Sequence, residues 1–147
     1  MSFPTEADFV LLKVGDGATP TENFTLLCGI ESVTINETVN TTDRFRRDCA
    51  KPGSTPKRKL RVDGQQWDIS GAGVANLAQV DLLTGCLGVV RNYEIEFGQR
   101  DGTDAGTIIA TATGPAMLTS RSTAVGEDGS IDLTLAGEDD LTWDSPS

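Results

Sequence analysis

Histidine is absent from the 147-residue sequence, which removes every His-based catalytic triad or dyad and every zinc site with His ligands. Cysteine is scarce. Cys28, Cys49 and Cys86 lie far apart without a C-x-x-C pair, and an odd count cannot close into an intrachain disulfide framework; a reducing site of synthesis is expected. Cys28 and Cys86 sit among apolar neighbours (LLCGI and LLTGCLGVV) and read as buried small hydrophobes. Aromatic residues make up only 5 % of the chain, too few to build a broad stacking platform for bases or sugars. No apolar run approaches the roughly 18 residues of a membrane span, so membrane insertion is not expected. The N-terminal MSFPTEADF has no basic stretch leading into an apolar one, so Sec-type export is not expected either.

What is present is the composition of one globular domain, with 37 % hydrophobic and 23 % charged residues. A chain of this length can bury a core that needs neither disulfide nor metal. The formal net charge is −10, yet residues 44 to 61 (RFRRDCAKPGSTPKRKLR) hold eight of the twelve basic residues and a single acid. That segment is +7 and the rest of the chain −17. Three readings of it are open: a solvated basic loop, a nucleic-acid contact, or a surface docking on an acidic partner such as another copy of the chain. Phosphate binding has to overcome the acidic remainder, and Phe45 is the segment's one stacking aromatic.

Most of the chain reads as strands. Residues 9 to 14 (FVLLKV) are a short apolar run closed by Gly15, Asp16 and Gly17. Phe24 to Asn40 is one strand or two with a break near Gly29, in which Val33, Ile35 and Val39 alternate with small polar residues. A long basic loop at about residues 41–59, punctuated by Pro52, Gly53 and Pro56, follows. Leu60, Val62, Trp67 and Ile69 mark a strand region with a turn or bulge at Asp63 and Gly64. A helix is expected near residues 74 to 87, with Val74, Leu77, Ala78, Leu82 and Cys86 on one stripe. Tyr93, Ile95 and Phe97 alternate with Glu94 and Glu96. Thr107 to Arg121 reads as a strand pair around Gly114 and Pro115, and Ile131, Leu133 and Leu135 give a last alternating strand. The pattern predicts a mainly β fold, an antiparallel β-sandwich or partial barrel with one packed α-helix, in a single domain over residues 1–147.

Catalytic chemistry finds little support. Glu94 with Glu96 reads as the wet face of a strand, and Asp139 with Asp140 as a solvated turn. Gly71-Ala72-Gly73 lacks the third glycine and the βαβ setting of a dinucleotide fingerprint. Asp101-Gly-Thr-Asp104 has too few spaced oxygen ligands for an EF-hand loop. No enzyme activity, cofactor or metal is expected.

The order of elements resembles the major tail tube proteins of long-tailed bacteriophages and gene transfer agents. The resemblance begins with FVLLKVGD and FTLLCGIESVTINETVNTTD. It continues through the long loop to WDISGAGVAN and RNYEIEF, and ends with GSIDLTLAGEDDLTW. It implies a structural virion protein whose rings, usually of six subunits, stack into the hollow tube that conducts DNA during genome delivery. The implied partners are further copies of the chain and other tail proteins such as the tape measure, tail terminator and distal tail protein. The implied location is the virion tail, after synthesis and assembly in the bacterial host cytoplasm.

The basic loop does not match a motif of that family. Its residues Arg44, Arg46, Arg47, Lys51, Lys57, Arg58, Lys59 and Arg61 are candidates for stacking one ring on the next. Polar-face residues Asn36, Thr38, Asp68, Asp132 and Thr134 are candidates for lining the bore, where carboxylates repel DNA phosphates so that the genome slides. A one-residue slip in register would exchange the two faces. The alternative is a non-enzymatic β-sandwich binding or baseplate accessory module.

Overall fold

The computed structural model describes residues 4–17, 21–126 and 129–145. Among the described residues eight strands occur in chain order: β1 (Phe9–Gly15), β2 (Phe24–Leu26), β3 (Ile30–Arg46), β4 (Lys57–Val74), β5 (Val90–Gln99), β6 (Thr107–Thr123), β7 (Ser130–Gly137) and β8 (Thr142–Asp144). A 3-10 turn (Leu77–Gln79) runs directly into α1 (Val80–Cys86) between β4 and β5. The strands form one sheet in the order β2-β1-β5-β6-β7-β4-β3, with β8 added beside β6. Pairing is antiparallel from β2 through β7 to β4. This is the mainly β, antiparallel architecture with one helix that the sequence pattern predicts. Packing divides the chain into two units, one made of residues up to 36 and from 67 onward, the other of Glu37–Gln66.

In the larger unit, period-2 alternation places one side chain in two on a single core. Leu12 lies opposite Ile95 and Ile95 opposite Ala112; Leu118 lies opposite Leu135 and Leu135 opposite Ile69. All six are at most 1 % exposed. Leu133, at 2 % exposure, and Ile131 extend the β7 row, as the alternation predicts. A β-bulge between Leu118 and Ser120 shifts the register of β6, so that Arg121 and not Ser120 lies opposite Leu133. Arg121 Nη1 then donates to the Val80 carbonyl at 3.3 Å, tying β6 to α1.

Trp67 anchors one end of this core at 4 % exposure, with its Nε1 donating to the Asp139 carbonyl at 3.1 Å. Two glycines make room for its ring. A Cβ on Gly137 would fall 2.1 Å from Trp67 Cδ2, and one on Gly114 2.8 Å from Cζ2. Gly114 and Pro115 therefore lie inside a continuous β6 and do not divide a strand pair; the glycine answers to a neighbouring ring and not to a turn. The break after β2 does fall at Gly29, whose φ of +108° suits glycine, and Gly29 accepts from Val74 N at 2.8 Å.

The helical segment is shorter than expected. Val74 ends β4, and Leu77 and Ala78 are exposed; Leu83 and Cys86 are the buried residues of α1, with Leu82 packed against them. Polar capping decides the start: the Asn76 side chain accepts from Ala78 N at 3.2 Å. The Gln79 amide donates to the Leu26 carbonyl at 2.8 Å and accepts from Cys28 N at 3.0 Å, fastening the β2–β3 connection to this turn. Cys28 is consequently exposed, contrary to its apolar sequence context, because its backbone faces the Gln79 amide and its flanks Leu27 and Ile30 occupy the core. Cys49 is also exposed, and Cys86 is buried as expected.

The smaller unit corrects the loop at about 41–59. Strand β3 runs through Arg46 and β4 starts at Lys57, so only residues 47–56 connect them, and β4 passes unbroken through Asp63 and Gly64. Dense charge suits a loop, yet charges alternating with Phe45, Leu60 and Val62 suit a solvated strand equally well. The connection itself is built on Asp48, whose carboxylate accepts from Ala50 N at 3.0 Å and whose carbonyl accepts from Lys51 N at 3.1 Å.

Candidate assembly surfaces

Two strands joined by a ten-residue connection and hydrogen-bonded to each other make Glu37–Gln66 a β-hairpin. Every residue in it except Gly64 is exposed. It carries eight basic and four acidic residues, net +4, against −14 for the rest of the chain. Side-chain contacts sort its two faces. Thr42 donates to Asp63, and Arg61 lies 3.7 Å from the same carboxylate; Arg58 and Asp43 approach to 3.9 Å on the other face.

Alternation from these contacts puts Arg44, Arg46, Lys57, Lys59 and Arg61 on one face with Thr38, Asn40 and Thr42. Val39, Phe45, Leu60 and Val62 share the opposite face with the Arg58–Asp43 pair. Those four apolar side chains are 52 to 67 % exposed. Of the stacking candidates, five therefore share the basic face, Arg58 lies on the apolar one, and Arg47 and Lys51 lie in the connection. The two-faced pattern is present in the sequence as RFR and KLRV, but solvated loops carry the same mix of charged and isolated apolar residues.

The bore candidates divide. Asp68 lies opposite Ala136, Thr134 opposite Ser70 and Ser120, and Asp132 opposite Ala72 and Ser122. These three share the outward face of β4 and β7, among small and polar neighbours; Asp132 and Thr134 are exposed and Asp68 half-buried. Asn36 is exposed on β3, alternating with half-buried Ile35, and Thr38 belongs to the hairpin unit.

A second outward region holds a charge cluster in which Lys13 joins Glu94 and Glu96. Lys13 lies opposite Glu94 in the β1–β5 ladder and donates to the diagonal Glu96. Burial pushes the Glu94 carboxyl above its ordinary value, and the Glu96 carboxylate beside it adds to the rise. Burial acts on Glu96 in the same sense, yet hydrogen bonds from Lys13 and Glu94 outweigh it and hold that carboxyl below its ordinary value. The pair is thus not a freely solvated strand face. Lys13 and Glu96 border an open groove lined also by Phe9, Leu11, Leu26 and Ile108.

A third region is apolar. Val74, Leu77 and Val125 are 52, 64 and 85 % exposed around a hollow of about 170 Å³ lined also by Ala75 and Ala124. Asp132 is the diagonal neighbour of Val74 across the β4–β7 ladder, and exposed Asp81 follows in the first turn of α1. Buried Tyr93 has its hydroxyl beside the Cys86 thiol, and burial pushes its pKa far above the ordinary value. Among the described residues no group of His, Cys, Asp or Glu is arranged to hold a metal ion.

No family model matches the chain, and no curated protein matches it. Solved structures do. The chain is similar to one in the tail of an empty gene transfer agent particle refined with C6 helical symmetry, at 22 % identity over 92 % of this chain and 96 % of that one, with a TM-score of 0.64. It is similar to a chain of the extended sheath–tube complex of the PVC extracellular contractile injection system, at 15 % identity, covering 99 % and 95 %, TM-score 0.64. It is also similar to the SPP1 tail tube protein, at 11 % identity, covering 97 % and 80 %, TM-score 0.62. The fold of this chain is that of tail-tube subunits.

Proposed function

We propose that this chain is a structural subunit of a virion tail tube, forming rings of six that stack into a hollow conduit for DNA. The observation that carries the reading is the shared fold over nearly the whole chain, in subunits whose assemblies are tails and tubes. The sixfold number follows the symmetry of the gene transfer agent tail. The hairpin joins each ring to the next, with its basic residues against the acidic remainder of an adjacent copy. Exposed pairs of this kind contribute about 0 to 1 kcal/mol each, and repetition around a ring adds them. Stacking is head to tail and extends until other tail proteins, such as a terminator or a distal tail protein, stop it. The outward β4–β7 face with Asp68, Asp132 and Thr134 lines the bore, where net negative charge keeps DNA from adhering.

Electron microscopy of the purified protein tests this directly. Rings or hollow filaments are expected; monodisperse particles at every concentration would point instead to a binding or accessory module.

A further inference from the structure

We infer that the apolar face of the hairpin, and not its basic face, makes the specific contact between copies, seating Phe45 in the hollow between Val74, Leu77 and Val125 of a second copy. The inference rests on the tube reading and adds the partner surface and the side chains that meet.

Three observations carry it. Phe45, Leu60 and Val62 form an apolar row, each more than half exposed, on a hairpin with no buried side chain of its own. Leaving such a row in water forfeits the gain that its burial would bring. The second observation is a recipient of matching chemistry. The hollow of about 170 Å³ is walled by the apolar side chains of Val74, Ala75, Leu77, Ala124 and Val125 together with backbone polar atoms, and is well below the roughly 300 to 1,000 Å³ of small-molecule pockets, a size that suits one side chain. An aromatic anchor in a small apolar pocket is the usual form of an interface hot spot.

Charge is the third, and it selects the occupant. Arg58 shares the apolar face with Phe45 and Leu60, and exposed Asp81 follows Leu77 of the hollow by four positions. A second copy brings a net −14 outside its own hairpin, which suits a basic partner. The same acidity on the incoming chain repels an anionic lipid surface or nucleic acid, the other surfaces to which a basic, apolar hairpin could bind.

The test places a photoreactive benzoylphenylalanine at Phe45 and mixes this protein with isotopically heavy wild-type chain under assembling conditions. Adducts are expected on residues 74–80 and 124–126 of the heavy copy. Phe45→Ser and, separately, Leu77→Ser should each raise the concentration needed for assembly at least about tenfold, the loss expected for one large apolar side chain. Both should keep the wild-type melting temperature, since both sites are exposed. The loss should persist at high salt, where a purely electrostatic contact weakens in wild type as well. Tubes whose Phe45 adducts fall elsewhere leave the tube reading standing and overturn this one. Flotation of the protein with phosphatidylglycerol vesicles, lost in Phe45→Ser, with no inter-copy adduct, assigns the face to lipid and also overturns it. A wild-type protein that forms neither rings nor tubes removes both readings.

Discussion

Trp67 leaves the core no spare volume at two glycines. Gly137→Ala places a methyl group 2.1 Å from Trp67 Cδ2, so the indole must move and its bond to Asp139 is put at risk. Overpacking of this kind costs about 1 to 3 kcal/mol, read as a lower midpoint in urea denaturation with an unchanged slope. Glu94 gives a pH-dependent outcome. Its carboxyl titrates above the ordinary 4.5 in the folded chain, so folding favours the protonated form. Ionised Glu94 therefore subtracts stability at neutral pH, and the loss is relieved as pH falls through the raised value toward 4.5. Glu96 acts in the opposite sense, adding stability above its ordinary value that is lost as pH falls through its lowered one. Glu94→Gln should melt above wild type at pH 7, and thermal scans should show the gap narrowing as pH falls toward 4.5 and closing below it, where Glu94 becomes neutral in both the folded and the unfolded chain.

Among the elements, the hairpin separates charge from contact. Reversal of Lys57, Arg58 and Lys59 to Glu should leave a folded subunit, because all three side chains are exposed. It should prevent ring-on-ring growth at low salt, as judged by sedimentation. Trypsin should cut the free subunit within 44–61 and spare the assembled tube; equal cleavage in both states would place the hairpin outside the stacking contact. The strands with apolar alternation, such as β5 and β7, were legible in the sequence because burial imposes period two on one face. The hairpin was not, since solvated strands and solvated loops share a composition and only backbone pairing distinguishes them. The helix was overextended for a different reason: Val74 and Leu77 obey the periodicity of a buried stripe, although the surface they form lies open to solvent. The bore candidates Asp68, Asp132 and Thr134 were identified by alternation alone, whereas the Gln79 bridge, the Arg121 shift and the hollow depend on long-range geometry that no local pattern encodes.

At the scale of the whole molecule, the surface charge must serve both assembly and passage. Asp132→Asn changes one exposed carboxylate in a chain of net charge −10, so folding should shift by no more than about 0.5 kcal/mol and tubes should form. The change should appear in the rate at which DNA leaves assembled particles; a variant that folds but does not assemble would put Asp132 at a contact between copies. The sheet order has a further consequence, for synthesis. Strand β1 pairs with β2, but its core-facing Leu12 meets its β5 partner only at Ile95, and the neighbouring Lys13–Glu96 pair spans 83 positions. At about 5 to 20 residues per second, a ribosome needs roughly 4 to 17 s to deliver β5 after β1 has been made. During that interval FVLLKV is an apolar strand without its main partner, so the newborn chain depends on chaperone shielding or on low local concentration well before any ring can form.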